Sequence, residues 1–325
     1  MTELPDFMPP LWLRSAKIQT ALASSKLRLL YCRGFDNRSE KLILDTGDGL
    51  RTSCYINRHP SPKGMIILMH GWMGRPQSTY VLSAAKTLFD NGFSTARVTL
   101  PDHGDAATLN REMVPITRDT FLCGAVRQIC DLDPSLPVGL MGFSMGGNCA
   151  LRVARETAQD EIPQLRHVVA VSPVIEPEET CILIDKSPLI RRYFLFKFDR
   201  LFRRKQAAFP EYDAASDLLH QKSLYRLTEL SVLRWGEFSN TDMYFNAYKI
   251  NPADFAYGTR AITLVTAEDD PIVSADSARA LEDGPGFERI FTAYGGHNGF
   301  FKRFADKIYS EQIAIDRFST AMARA

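Results

Sequence analysis

The chain has 325 residues, of which 45% are hydrophobic and 24% are charged, and these fractions are typical of a globular protein. Its formal net charge of +1 gives no general attraction to nucleic acid, so we predict no nucleic-acid partner and expect any basic surface to be local. The length suits either one large α/β domain with an insertion or two modest domains.

The cysteine and N-terminal patterns indicate a cytoplasmic protein. The six cysteines form no CxxC pair and have no histidines at zinc spacing, so we expect free thiols and no bound metal. Acidic residues and prolines interrupt residues 1–17, where a signal peptide would need an unbroken apolar stretch. No apolar run in the sequence is long enough to span a bilayer.

In chain order, three strands are predicted first, and strands then alternate with helices. Residues 26–33, 40–46 and 51–58 are predicted to form a leading antiparallel portion. After residue 65, short apolar runs alternate with helical periodicity, which is typical of a parallel sheet covered by helices on both faces. We therefore predict an α/β fold with a mostly parallel sheet of about eight strands. Its later strands are predicted at residues 65–70, 93–100, 137–143, 167–173, 261–267 and 288–294, and its helices at residues 78–92, 118–131, 144–157, 274–283 and 299–323.

The interval between residues 174 and 258 interrupts this alternation. It contains aromatic residues, a basic cluster and helical periodicity, but no βα unit. An insertion here, after the sixth strand of the fold, would project from the carboxyl ends of the strands, where open α/β sheets bind ligands. We predict a core domain of residues 1–173 and 259–325, with a helical cap (lid) of residues 174–258.

The strongest chemical motif is Gly142-Phe143-Ser144-Met145-Gly146, which lies between a predicted strand and a predicted helix. A serine on such a turn adopts strained backbone geometry, and the residues two positions away must be small because strand and helix nearly touch. The turn exposes the hydroxyl and points the first N–H groups of the helix at a developing oxyanion. Ser144 is therefore the predicted nucleophile, and a glycine-rich turn with a chance serine is the alternative.

A serine nucleophile needs a base that a third group orients. His297, on a glycine-rich loop after the last predicted strand, is the predicted base. Asp270, in the loop after the preceding strand, is the predicted orienting acid. Asp269 and Glu268 compete for this role, and Glu176 after the sixth strand is a further alternative.

An oxyanion hole needs a second donor besides the N–H of Met145. Gly71 permits a sharp turn after the first parallel strand, and the N–H of Trp72 would face the substrate carbonyl there. His70 is interpreted as a support for this turn. His103 is interpreted as a histidine that forms a hydrogen bond within its own turn.

Four motifs together resemble the α/β-hydrolase superfamily: HGWMG at residue 70, GFSMGG at 142, DDPIV at 269 and GGHNGF at 295. The resemblance implies the α/β-hydrolase fold, the chain order serine, acid, histidine, and carboxylic ester hydrolysis. The segment FMPPLWLR at residue 7 and the Gln19-Thr20 pair are similar to the YheT-like branch of predicted serine hydrolases. The chain departs from that branch at residues 101–104, where PDHG stands in place of an arginine-glycine turn.

These observations predict a serine-dependent carboxylic ester hydrolase that acts on a small-molecule ester, lipid-like esters included, without a cofactor or metal. An acyltransferase or a thioesterase would use the same triad. A binding protein that kept the fold is the alternative outside catalysis, and the complete serine, acid, histidine order favours an enzyme. The sequence leaves open the acyl and alcohol groups of the substrate and the oligomeric state.

The predicted cap contains an aromatic and basic segment, LIRRYFLFKFDRLFRRK, at residues 189–205. Its apolar residues recur at steps of three and four, so one face of a helix is predicted to be apolar and the other, including Lys205, basic. In one interpretation the aromatic residues pack on the core and the basic residues face solvent. In the other, Phe194 and Phe198 line the substrate pocket, and the basic face contacts an anionic head group or membrane surface.

Overall fold

A computed structural model describes residues 7–158, 162–211, 218–235, 237–258, 260–303 and 308–323 of the chain. A single sheet of eight strands lies at its centre. The strands are β1 (Glu40–Gly47), β2 (Leu50–Asn57), β3 (Met65–Met69), β4 (Ser94–Val98), β5 (Val138–Phe143), β6 (Leu165–Val171), β7 (Ala261–Ala267) and β8 (Phe287–Thr292).

The strand order is β1-β2-β4-β3-β5-β6-β7-β8. β1 and β2 pair antiparallel at one edge, β2 pairs antiparallel with β4, and all later pairs are parallel. The central strands are buried on both faces, which explains why β3 is five apolar residues in a row. The prediction of a mostly parallel sheet of about eight strands is confirmed.

Helices cover both faces of the sheet. α3 (Asp119–Asp131) and α4 (Met145–Glu156) pack on one face, and α2 (Thr79–Asp90) and α10 (Tyr309–Met322) pack on the other. The helices are α1 (Ala16–Ala23), α2 (Thr79–Asp90), α3 (Asp119–Asp131), α4 (Met145–Glu156), α5 (Pro177–Lys186), α6 (Pro188–Ala208), α7 (Leu224–Trp235), α8 (Thr241–Tyr248), α9 (Ala275–Arg279) and α10 (Tyr309–Met322).

Four of these helices, α5 to α8, lie between β6 and β7, as expected for a helical insertion after the sixth strand. They share an apolar cluster that includes Phe194 and Phe202 of α6, Phe245 of α8 and Ile272 of the loop after β7. The cluster joins the insertion to the loops above the sheet. The division into a core of residues 1–173 and 259–325 and a cap of residues 174–258 stays a prediction.

Two predicted elements are wrong. Residues 26–33 do not form a strand but begin with a 3-10 helix, Lys26–Leu30. Within this helix Arg28 is buried and donates to Ser83 at 3.1 Å, whereas apolar Leu27 is exposed. The last helix begins at Tyr309 and not near residue 299. The backbone at Phe301 is instead bound by a side chain from α1, as described below.

Candidate active site

Ser144 lies on a tight turn between β5 and α4. Its φ of 55° and ψ of −119° place a non-glycine residue in a strained left-handed conformation. A Cβ added to Gly142 would collide with the carbonyl of Gly146, and one added to Gly146 would collide with the carbonyls of Met69 and His70. The prediction that strand and helix nearly touch at these two glycines is confirmed.

The imidazole of His297 is paired with Asp270. His297 Nδ1 lies 2.9 Å from Asp270 Oδ2 and 3.2 Å from Oδ1. The carboxylate is itself fixed, because Oδ1 accepts hydrogen bonds from the N–H groups of Ile272 at 2.8 Å and Val273 at 3.1 Å. The side chain of Asp270 is fully buried. Such a carboxylate can orient the imidazole and stabilise its protonated form.

The competing acidic residues lie elsewhere. Asp269 Oδ1 accepts a hydrogen bond from the N–H of Gly296 at 2.8 Å, and burial raises the pKa of the Asp269 carboxyl. Asp269 therefore binds the backbone beside the histidine and not its ring. Glu268 forms an ion pair with an arginine of α9, and Glu176 forms one with Lys249 at 2.7 Å.

The loop that carries the histidine is bound by α1. Thr20 Oγ1 accepts a hydrogen bond from the N–H of His297 at 2.9 Å and donates to the carbonyl of Ala16 at 2.8 Å. The Gln19 amide donates to the carbonyl of Phe301 at 3.0 Å and accepts from its N–H at 2.8 Å. We call Gln19 and Thr20 the α1 clamp. The sequence marks this pair only as part of a family resemblance, and its contact with the histidine loop is not predictable from spacing.

The two predicted oxyanion donors flank the serine. A Cβ added to Gly71 would lie 3.1 Å from the Cβ of Ser144, so the turn after β3 passes directly against the nucleophile. Trp72 follows in this turn, and Met145 is the first residue of α4. Among the described residues, neither the N–H of Trp72 nor that of Met145 donates to another protein group. Both donors are available to a ligand at Ser144.

Both neighbouring histidines lie in turns, as interpreted. His70 Nδ1 donates to the carbonyl of Gly71 at 2.8 Å, and His70 Nε2 accepts from the N–H of Leu100 at 3.1 Å. His103 Nδ1 donates to the carbonyl of Pro101 at 2.6 Å. Burial lowers the pKa of His70 to about 3 and that of His103 to about 4, so both are neutral near pH 7.

Ser144 and His297 line one wide cavity of about 960 Å³, together with Trp72 and Phe194. The hydrogen bonds of the described residues include none between the Ser144 hydroxyl and His297. Hydrogen bonds between nucleophile and base are often long before substrate binds. The evidence that Ser144 and His297 belong to one site is therefore that both line the same cavity.

A second, much smaller pocket adjoins Ser144 under the insertion. It has a volume of about 20 Å³, roughly the space of one water molecule, and Phe194 and Ile184 are among its apolar walls. Phe194 thus contacts both spaces beside the serine. Phe198 does not line this pocket. The centroid of its ring lies 5.3 Å from that of Trp72, and it lines a neighbouring cavity of about 120 Å³.

A sequence model described as the alpha/beta hydrolase family matches residues 66–307, which is more than half of the chain. The chain belongs to the α/β-hydrolase family. No curated protein matches the sequence.

Several solved structures are similar to this α/β-hydrolase. An esterase from Pyrococcus furiosus is 16% identical with a TM-score of 0.56, and the match covers 88% of this chain and 90% of that one. Est1E from Butyrivibrio proteoclasticus is 14% identical with a TM-score of 0.51, covering 88% and 99%. A serine hydrolase from Cycloclasticus zankles is 12% identical with a TM-score of 0.57, covering 86% and 98%. At these identities the likeness shows the fold.

Two buried polar side chains bind the helical insertion of this α/β-hydrolase to its core, a role that the sequence predicted for neither. Asn148 of α4 donates to the carbonyls of Val174 at 2.8 Å and Tyr248 at 2.6 Å, one near each end of the insertion. Lys205 of α6 forms an ion pair with Asp102 in the turn after β4. The interpretation of Lys205 as part of an exposed basic face is wrong, because its side chain is fully buried.

The remaining chemistry of the described residues is limited. No group of three or more His, Cys, Asp or Glu side chains among them could bind a metal ion. All six cysteines are buried and free, and burial raises the pKa of each thiol to about 12, which disfavours a thiolate nucleophile. In the part of the chain that the structure describes, every helix is too short or too polar to cross a membrane.

Proposed function

We propose that this α/β-hydrolase is a serine-dependent carboxylic ester hydrolase, with Ser144 as nucleophile, His297 as general base and Asp270 as the acid that orients the base. One observation carries the proposal. The strained serine turn and the histidine line the same cavity, and the histidine is bonded through Nδ1 to a buried carboxylate. The names of two similar structures, an esterase and a serine hydrolase, agree with this reaction class.

In the first half-reaction, Ser144 Oγ attacks the ester carbonyl carbon while Nε2 of His297 takes the hydroxyl proton. The carbonyl oxygen becomes an oxyanion that accepts hydrogen bonds from the N–H groups of Trp72 and Met145. The carbon–oxygen bond to the alcohol then breaks. His297 gives its proton to the departing alkoxide, which leaves as the alcohol, and the acyl group remains on the serine.

In the second half-reaction, water attacks the acyl-enzyme and His297 takes a proton from it. The new tetrahedral intermediate collapses, the proton returns to Ser144 Oγ, and the carboxylic acid leaves. Asp270 stays ionised throughout and stabilises the imidazolium that forms twice in each cycle. Every proton transferred in this scheme comes from Ser144, His297 or water.

Hydrolysis is proposed over acyl transfer because the cavity is wide and the exposed side chains of Lys26 and Arg75 line it, so water has access to the acyl-enzyme. A thioester would react by the same steps. We further propose a cytoplasmic protein of the YheT-like branch with α5 to α8 as its lid. The buried free thiols support the location, and the N-terminal motif with its Gln19-Thr20 pair supports the branch.

The test is hydrolysis of p-nitrophenyl esters of increasing acyl length by the wild-type protein and by Ser144→Ala. We expect the variant to lose about 10⁴-fold or more in turnover. Ser144→Gly is the second variant, because it also lacks the hydroxyl and glycine adopts the positive φ of this turn without strain. Near-wild-type turnover by either folded variant would refute the proposal.

A further inference from the structure

Helix α6 presents basic as well as apolar side chains to the wide cavity. Ile190, Tyr193, Lys197, Arg200 and Arg204 line the wide cavity that contains Ser144 and His297. These positions follow one another at steps of three and four, so they form one continuous stripe along the helix. We call Lys197, Arg200 and Arg204 the basic stripe.

The cavity wall carries an excess of positive charge that the protein as a whole does not have. Lys26 and Arg75 line the cavity together with the basic stripe. Among the described residues that line it, the one carboxylate is Asp102, and its charge is balanced by the buried ion pair with Lys205. The net charge of the whole chain is only +1.

No carboxylate of the described residues forms an ion pair with the five cations of this wall. Arg204 donates to the carbonyl of Gly104, a neutral group. The wall therefore presents cations that have no ion-pair partner among the described residues to whatever enters the cavity.

The basic stripe extends along α6 away from Phe194, a residue that lines the small pocket beside Ser144. Phe194 contacts the pocket beside Ser144, and the helix advances about 1.5 Å per residue. By this rise, Lys197, Arg200 and Arg204 lie about 5, 9 and 15 Å along α6 from Phe194. The pocket of about 20 Å³ beside the serine has mostly apolar walls and room for only a short group.

We propose that the substrate is an ester with one short, uncharged arm and a longer arm that ends in an anion, a carboxylate or a phosphate, bound by the basic stripe. This inference rests on the proposed hydrolase function and names the substrate class of that site. Arginine and lysine bind both anions, arginine with two parallel hydrogen bonds and lysine as a point charge.

The experiment compares matched esters that differ only in the terminal group. One series consists of aryl acetates whose alcohol part ends in carboxylate, phosphate or neutral carboxamide, and the other of p-nitrophenyl monoesters of dicarboxylic acids with their carboxamide counterparts. We expect kcat/KM to be about tenfold higher for an anionic ester than for its neutral counterpart in one of the series, which is about 1.4 kcal/mol of transition-state binding. This preference should decrease with added salt.

Variants of α6 test whether the basic stripe causes the preference for anionic esters. Lys197→Gln/Arg200→Gln should lower the ratio of anionic to neutral kcat/KM to about threefold or less, since each exposed ion pair contributes up to about 1 kcal/mol. The control is Arg192→Gln/Arg203→Gln, which removes the same charge from exposed positions of α6 that are not among the residues lining the cavity. This control should keep the full preference.

Equal kcat/KM for anionic and neutral members of both series would overturn the inference, as would a preference that survives in Lys197→Gln/Arg200→Gln. Loss of the preference in the control variant, with binding to vesicles of anionic lipid, would overturn it in favour of a membrane surface. Failure of the hydrolase proposal looks different, because then no ester of either series is hydrolysed and a fluorophosphonate does not label Ser144.

Discussion

On the sheet side of the cavity, functional groups lie at the ends of strands and are fixed by main-chain hydrogen bonds, whereas the insertion side consists of helices whose side chains make the contacts. Asp270 accepts from two backbone N–H groups, and the N–H of His297 donates to Thr20. The insertion side depends on α6, with apolar Phe194 at one end and the basic stripe beyond it. In the proposed function, the sheet side therefore carries out the reaction and the insertion side selects the substrate.

The largest expected effect is a difference in kcat between variants of two adjacent carboxylates on the sheet side. Asp270→Asn should lower kcat by about 10³–10⁴-fold, because the amide cannot orient the imidazole or stabilise its charge. Asp269→Asn is the matched control, since Asp269 contacts the backbone N–H of Gly296 and not the ring. Steady-state kinetics on one p-nitrophenyl ester provide the measurement. An equal or larger loss in Asp269→Asn would reverse the two assignments.

The ion pair between Lys205 and Asp102 joins the two sides, and replacing Lys205 alone breaks it. Lys205→Met should lower the free energy of unfolding by about 3–5 kcal/mol, because Asp102 stays buried without its partner. Denaturant titration measures this.

Removing the charge of Asp102 as well tests whether the unpaired carboxylate causes this loss of stability. Asp102 has a φ of 57°, a conformation that asparagine tolerates, so Lys205→Met/Asp102→Asn should be more stable than Lys205→Met alone. A double variant no more stable than the single one would show that lost packing, and not the unpaired carboxylate, causes the damage.

We expect loss of a contact in the α1 clamp to lower the rate of the reaction without changing substrate binding. Thr20→Val keeps the shape of the side chain but removes the acceptor for the N–H of His297. We expect kcat to fall by about 10–100-fold with KM nearly unchanged, because small displacements of a catalytic group are costly. Thr20→Ser keeps the hydroxyl and should behave like the wild type. A purely structural role would lower the melting temperature of Thr20→Val and leave kcat of the folded protein unchanged.

The smallest effect concerns acyl-chain preference on the insertion side. Phe194→Ala enlarges the small pocket beside Ser144, so the ratio of kcat/KM for a hexanoate over an acetate ester should rise about tenfold. Phe198→Ala should change this ratio less, because Phe198 lines the neighbouring cavity. Equal shifts in the two variants would mean that the aromatic residues act through packing of α6 and not through contact with the acyl chain.

The sheet side is also the part of the molecule that sequence reasoning can predict. Gly142 and Gly146 are required by a local close approach, and the buried apolar runs of β3 and β7 define their own strands. Asp270 and His297 follow consecutive strands, so the sheet brings them together without further information.

Contacts between distant parts of the chain could not be predicted in this way. Gln19 and Phe301 are 282 residues apart, and Lys205 and Asp102 are 103 residues apart. Helical periodicity assigns Lys205 to a basic face because the period reports which residues share a face, not which charged residue finds a buried partner. The strand predicted at residues 26–33 fails for a related reason, since buried Arg28 bonds to Ser83 of α2.

The most direct test of the central claim is labelling by a fluorophosphonate, followed by mass spectrometry to locate the adduct. We expect a single adduct on Ser144, none in Ser144→Ala, and strongly slowed labelling in His297→Gln, because the serine hydroxyl then lacks its base. An adduct on another residue, or labelling of Ser144→Ala at the wild-type rate, would contradict the assignment of Ser144 as the nucleophile.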